Sequence, residues 1–182
     1  MAEAFSNKLT RAAGIVTTSS SGAVGITSTI ITGISTVGVA VSDLVDNTNF
    51  IAGTKVTGYG DAASQVVVDQ TSTNTTAISG AAVVNFLGMT TAYTSAAATK
   101  SILIGGTFAN NTANSVNLTI EVHDTSAGIQ AALASKIPVP TGSSFVISEA
   151  GKSVLEATDE VRVFCDTANA LDVNLSILTG VS

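Results

Sequence analysis

The chain has 182 residues and a net charge of −6; 11% of its residues are charged and 45% are hydrophobic. An acidic chain with seven basic residues lacks the electrostatic footprint of a nucleic-acid binder. Its hydrophobic share excludes the disordered class, which joins low hydrophobicity to high net charge. Ser and Thr supply 47 residues, and with abundant Val, Ile and Gly they make a β composition.

In chain order, the first segment carries Glu3, Lys8 and Arg11 around Phe5 and Leu9, with no apolar core behind it, so no secretory signal is expected. Residues 12–42 contain no charge. Gly, Ser and Thr interrupt them every two or three positions, too polar and too β-branched for a membrane helix. Short strands are expected at 24–31, 38–41, 53–58 and 64–69, with the polar tract 70–76 as a loop. These make a small β module of ~60 residues, close to the lower limit for folding alone.

The C-terminal half alternates more cleanly. In Val116-Asn-Leu-Thr-Ile-Glu-Val122, Val116, Leu118, Ile120 and Val122 share one face, and Asn117, Thr119 and Glu121 the other. Segments 160–165 and 171–177 repeat the pattern, burying Val161, Val163 and Cys165 and showing Arg162, Asp172 and Asn174 to solvent. Further strands are expected at 101–109, 134–139, 144–148 and 152–155, separated by Asn-, Gly- and Pro-rich turns. Only 127–133 reads as a helical turn or loop. Half-buried strands at this spacing predict an all-β fold, an antiparallel β-sandwich or jelly-roll-like domain. On this facing, Ile120→Asp costs roughly 3–5 kcal/mol, whereas Asn117→Asp is nearly silent.

Candidate chemistry is sparse. One cysteine, Cys165, excludes an internal disulfide, and one histidine, His123, leaves too few ligands for a Cys/His zinc site. Asp124 adjoins His123 but points to the opposite strand face, so it cannot orient the ring in a Ser-His-Asp triad. The carboxylate pairs Asp159-Glu160 and Asp43/Asp46 read as solvated turn and strand-end positions. Asp43-Leu-Val-Asp-Asn47 lacks the alternating loop that wraps calcium. Gly105-Gly106 has no following helix, so it marks a bulge or close backbone approach instead of a phosphate loop. Asn-x-Ser/Thr triplets at Asn74, Asn110, Asn117 and Asn174 are expected by chance in so Ser/Thr-rich a chain. No catalytic, cofactor-binding or metal-binding residue is assigned, and no cofactor is expected.

The segment Val41-Ser-Asp-Leu-Val-Asp-Asn-Thr-Asn-Phe-Ile-Ala-Gly-Thr-Lys-Val-Thr57, followed by Ser64-Gln-Val-Val-Val-Asp-Gln70, resembles a small β repeat of tailed-phage virion proteins. In that repeat V-G-D-x-V precedes I-x-x-G-T-x-V and a second strand; Ser42 stands where the repeat usually has Gly. Gly53-Thr54 is expected to turn residues 55–58 back beside 39–45. The segments Ala4-Phe-Ser-Asn-Lys8, Thr90-Thr-Ala-Tyr-Thr94, Ile102-Leu-Ile-Gly-Gly-Thr-Phe-Ala-Asn110, Pro138-Val-Pro-Thr-Gly-Ser-Ser144 and Leu155-Glu-Ala-Thr-Asp-Glu-Val-Arg-Val163 resemble short phage structural proteins with one β-sandwich. Together the two look most like virion proteins of cyanophages. The resemblance implies a discontinuous sandwich, residues 1–20 plus 83–182, with residues 21–82 as an inserted β module.

It also implies a non-enzymatic, virion-located protein that self-associates and docks on capsid, neck or tail proteins as an accessory, decoration-like component, with neither nucleic acid nor membrane as partner. The alternative is a neck-, tail- or fibre-associated protein with a receptor- or glycan-binding role, for which Tyr59 and Tyr93 would be the aromatic platforms. A surface of Thr, Ser, Asn, Gly and Ala loses little side-chain entropy when covered, which suits assembly.

Overall fold

A computed structural model describes residues 3–148 and 152–181. In chain order the strands are β1 Ala4–Thr10, β2 Ile15–Val24, β3 Ile30–Thr32, β4 Leu44–Asp46, β5 Val56–Tyr59, β6 Gln65–Val68, β7 Ile78–Leu87, β8 Thr90–Thr94, β9 Lys100–Asn110, β10 Val116–Asp124, β11 Ile129–Val139, β12 Ser144–Ile147, β13 Ser153–Leu155, β14 Glu160–Cys165 and β15 Leu171–Val181. The protein is all-β: the described residues contain no helix, and every strand pairing is antiparallel. The chain divides into two compact units, residues 1–14 with 89–182, and residues 15–88.

The first unit is a sandwich. One sheet has the order β1-β15-β9-β12, with β13 also on β9; the other runs β11-β10-β14-β8. The alternation read from the sequence sets the facing. Leu103, Phe108, Leu175 and Ile177 from the first sheet share one core with Leu118, Ile120, Val161, Val163 and Cys165 from the second. Gly105-Gly106 lies where β9 slips register against β15, between Ser176 and Ile177. A Cβ on Gly105 would stand 2.8 Å from the Ile147 carbonyl oxygen, so close backbone approach is what requires glycine there.

The second unit is one six-stranded sheet, β4-β7-β2-β3-β6-β5, and its two edges meet. Leu44 bridges Lys55, and the Val45 and Val56 amides donate to the Thr54 and Asp43 carbonyls at 2.8 and 2.9 Å. Closure gives a small barrel, filled by Val24, Ile31, Val45, Val66, Val84 and Phe86. The expected Gly53-Thr54 turn makes this closure: Gly53 has φ +90°, and buried Thr54 donates its hydroxyl to the Ile51 carbonyl at 2.7 Å.

Several expectations are corrected. The module seams expected at 20/21 and 82/83 fall inside β2 and β7, which pair with each other; a boundary there would cut a ladder in mid-strand. Residues 127–133 are no helical turn: Gly128 closes a turn with its amide on the Asp124 carbonyl, and β11 begins at Ile129. Alanine at 131, 132 and 134 hid the alternation by putting the same small side chain on both faces. Segment 24–31 is not one strand but the last residue of β2, a turn over 25–29 with Thr27 at φ +48°, and the start of β3, and segment 38–41 is a turn rather than a strand.

Candidate functional site

The sandwich exposes two outward faces of opposite chemistry, and register fixes what each carries. On the β1-β15-β9 sheet, Leu175, Ile177 and Phe108 point inward, so their strand neighbours point outward. Phe5 pairs with Leu178, Leu178 with Ile102, and Ile102 with Val154. One apolar row therefore crosses four strands, with half-buried Leu178 and Ile102 between Phe5 (66% exposed) and Val154 (59%). The next row is Asn7, Ser176 and Gly105, and the third is Leu9, Asn174, Thr107 and Val146. None of these residues is charged. Beyond the third row, Leu9, Thr107 and Asn174 share a hollow of about 400 Å³ with Arg11 and Asp172.

The outward face of the other sheet is charged. Glu121 pairs in register with Arg162, and His123 with Glu160. Arg162 lies 3.5 Å from Glu121 and 3.9 Å from Glu160, and His123 Nδ1 lies 3.4 Å from Glu160 Oε2. These side chains are only 15–26% exposed. His123 thus meets Glu160 across the ladder rather than Asp124 beside it. Asp124 instead accepts from the Ala127 amide and the Ser126 hydroxyl. Those bonds, the Ala127 amide foremost, hold its carboxyl below the usual range.

Other sequence candidates serve turns. Asp159, expected in solvent, is 4% exposed and accepts from the Glu156 amide at 2.9 Å and the Thr125 amide at 3.2 Å; it ties the loop before β14 to the end of β10. Asp43 accepts from the Ala40 amide at 2.7 Å, and partial burial raises its carboxyl above the usual value. Asp46 is exposed at the end of β4. No three His, Cys, Asp or Glu side chains converge as a metal site among the described residues. Tyr93 is buried, its hydroxyl 2.8 Å from Ser101 Oγ, so it offers no platform to a sugar. The Tyr59 ring is exposed, with its hydroxyl donated to the Val39 carbonyl.

No protein-family model, curated protein or solved structure matches this chain. Its function is therefore read from its own surface.

Sequence alternation could have found that surface. Phe5, Asn7 and Leu9 alternate with Ser6, Lys8 and Thr10, an inverted pattern whose apolar side lies outward. Assigning which side faces the core required the pairing of β1 with β15. In the barrel unit, a hollow of about 390 Å³ is lined by Asp46, Thr48, Asn49, Val83 and Asn85, among others. The Asn47 amide braces its wall by donating to the Val83 carbonyl at 2.6 Å.

Proposed function

We propose that this protein is a non-enzymatic structural component of a tailed-phage virion, self-associating and docking on the particle as an accessory, decoration-like subunit. The observation that carries this reading is the outward face of the β1-β15-β9 sheet: three rows without a charge and one wholly apolar row. Monomers seldom leave such a face uncovered. The resemblance of residues 41–70 and of the sandwich segments to phage structural proteins supplies the particle. The test is quantitative mass spectrometry of gradient-purified particles. Support is the chain present in stoichiometric copies; its absence from particles that contain their other structural proteins defeats the reading.

A neck-, tail- or fibre-borne receptor role is favoured by one feature, the hollow of the barrel unit. Asp46, Thr48, Asn49 and Asn85 bring hydroxyl, amide and carboxylate groups to its wall, the set that hydrogen-bonds sugar hydroxyls. Glycan-array binding by the purified chain, lost in Asn85→Ala, would replace decoration with this role.

A further inference from the structure

We infer that the apolar face of the sandwich is covered by a second copy of this chain, through a two-fold contact in which Phe5 of each copy lies over Val154 of the other. This inference rests on the self-association in the reading above and specifies its surface.

Three observations favour a copy over a foreign partner. The first is the shape of the row. Phe5 and Val154 are its exposed ends, and half-buried Leu178 and Ile102 its centre. A two-fold axis between Leu178 and Ile102 sets the large end on the small end twice, as an isologous contact requires. The second is charge. Copies of net charge −6 repel, yet the three rows bring no charge together. Ionic groups flank them instead: Arg11 and Asp172 beyond the third row, and the Lys100–Glu156 pair at 3.0 Å beyond the first. That is an apolar centre with a polar rim. The third is area. Four strands at ~4.8 Å spacing and about six residues at ~3.4 Å each span roughly 20 Å by 20 Å. With side-chain relief such a face exposes on the order of 600 Å², so a pair buries ~1,200 Å², the lower bound for a specific interface.

Two sheet edges of the sandwich, β1 and β11, are by contrast guarded. Lys8 pairs with core-facing Leu175, so β1 carries a cation on its inner side. In β11, Lys136 has φ +52° at the register slip between Ala134 and Ile137, and Pro138 follows. An inward charge, a bulge and proline are devices that discourage strand addition.

Sedimentation velocity of the full chain from roughly 1 to 200 µM tests the contact. The unaltered chain is expected to dimerise. Phe5→Lys and Val154→Glu each weaken dimerisation on the order of 100-fold, because each buries a lone charge against an apolar side chain. Combined in one chain, the two substitutions restore it, since every introduced ammonium then meets an introduced carboxylate. Ile129→Lys, on exposed β11, leaves dimerisation unchanged. Thermal melts matching the unaltered chain show that each variant folds. A monomeric chain throughout the range overturns the inference, as does a dimer indifferent to both single substitutions or a combined variant that stays monomeric. A monomer found in stoichiometric copies on particles defeats only this contact; a dimer missing from particles defeats only the proposed function.

Discussion

Ser42 has φ +79°, the left-handed region that costs a side-chain-bearing residue ~1–2 kcal/mol. Its amide donates to the Val56 carbonyl at 2.8 Å, so barrel closure holds it there. This is the position where the resembling repeat usually has glycine. Ser42→Gly relieves the strain and adds some unfolded-state entropy, for a net gain of ~0.5–1 kcal/mol in urea unfolding of the barrel unit. A second residue answers to pH. Burial, the largest cause, pushes the Cys165 thiol up to about 11 from 9.0. The folded state then keeps a proton that the unfolded state releases, so this contribution is intact below pH 9 and lost as pH rises towards 11. At ~1.4 kcal/mol per pKa unit the loss is on the order of 2–3 kcal/mol. Cys165→Ala should flatten that alkaline fall in pH-dependent denaturation, whatever its cost at neutral pH.

At the scale of elements, β10 shows what alternation reveals and what it hides. Ile120 is fully buried between the sheets, so Ile120→Asp should lower stability by ~3–5 kcal/mol in chemical denaturation. Asn117 faces outward as expected, but it is not idle. Its amide side chain donates to Asp166 Oδ2 at 2.6 Å, and its backbone amide donates to Oδ1 at 2.9 Å. Asn117→Asp removes the first bond and sets two carboxylates together, so it should cost ~1–2 kcal/mol, with the deficit shrinking at acid pH. Facing is a property of one strand and is legible in its period of two. The partner across a turn depends on which segment pairs alongside, and no local pattern encodes that. The same limit explains β2 and β7: the Thr-Thr-Ser-Ser-Ser run of β2 and the Ser-Gly-Ala-Ala start of β7 lack contrast between faces, and their mutual pairing makes them strands. It explains His123 as well, whose neighbour in space is Glu160, far along the chain.

At the scale of the molecule, each unit has its own core, and the sandwich closes around the point where the barrel is inserted. The Gly14 amide donates to Thr90 Oγ1 at 2.9 Å, so the two ends of the interrupted sandwich already touch. Replacing residues 15–88 by a short Gly/Ser linker should leave a folded sandwich, seen as dispersed amide resonances and a cooperative melt. A collapsed, non-cooperative product would show that the sandwich needs the barrel to fold. A distinct inner module was legible in the sequence from the change of pattern, but that the sandwich resumes after it was legible only through resemblance, because no local pattern links the flanking segments.

The pairing of β1 with β15 has a consequence for synthesis. β1 precedes the barrel segments in the chain, and among the described residues the strand it pairs with is β15, more than 160 residues later. The barrel can therefore finish folding while β1 waits without a neighbour. During that interval Phe5 and Leu9 lie on an open strand, and Lys8 is the charge between them. Nascent chains on one messenger thus carry the same exposed segment at the same time, until each β15 arrives to claim its own β1.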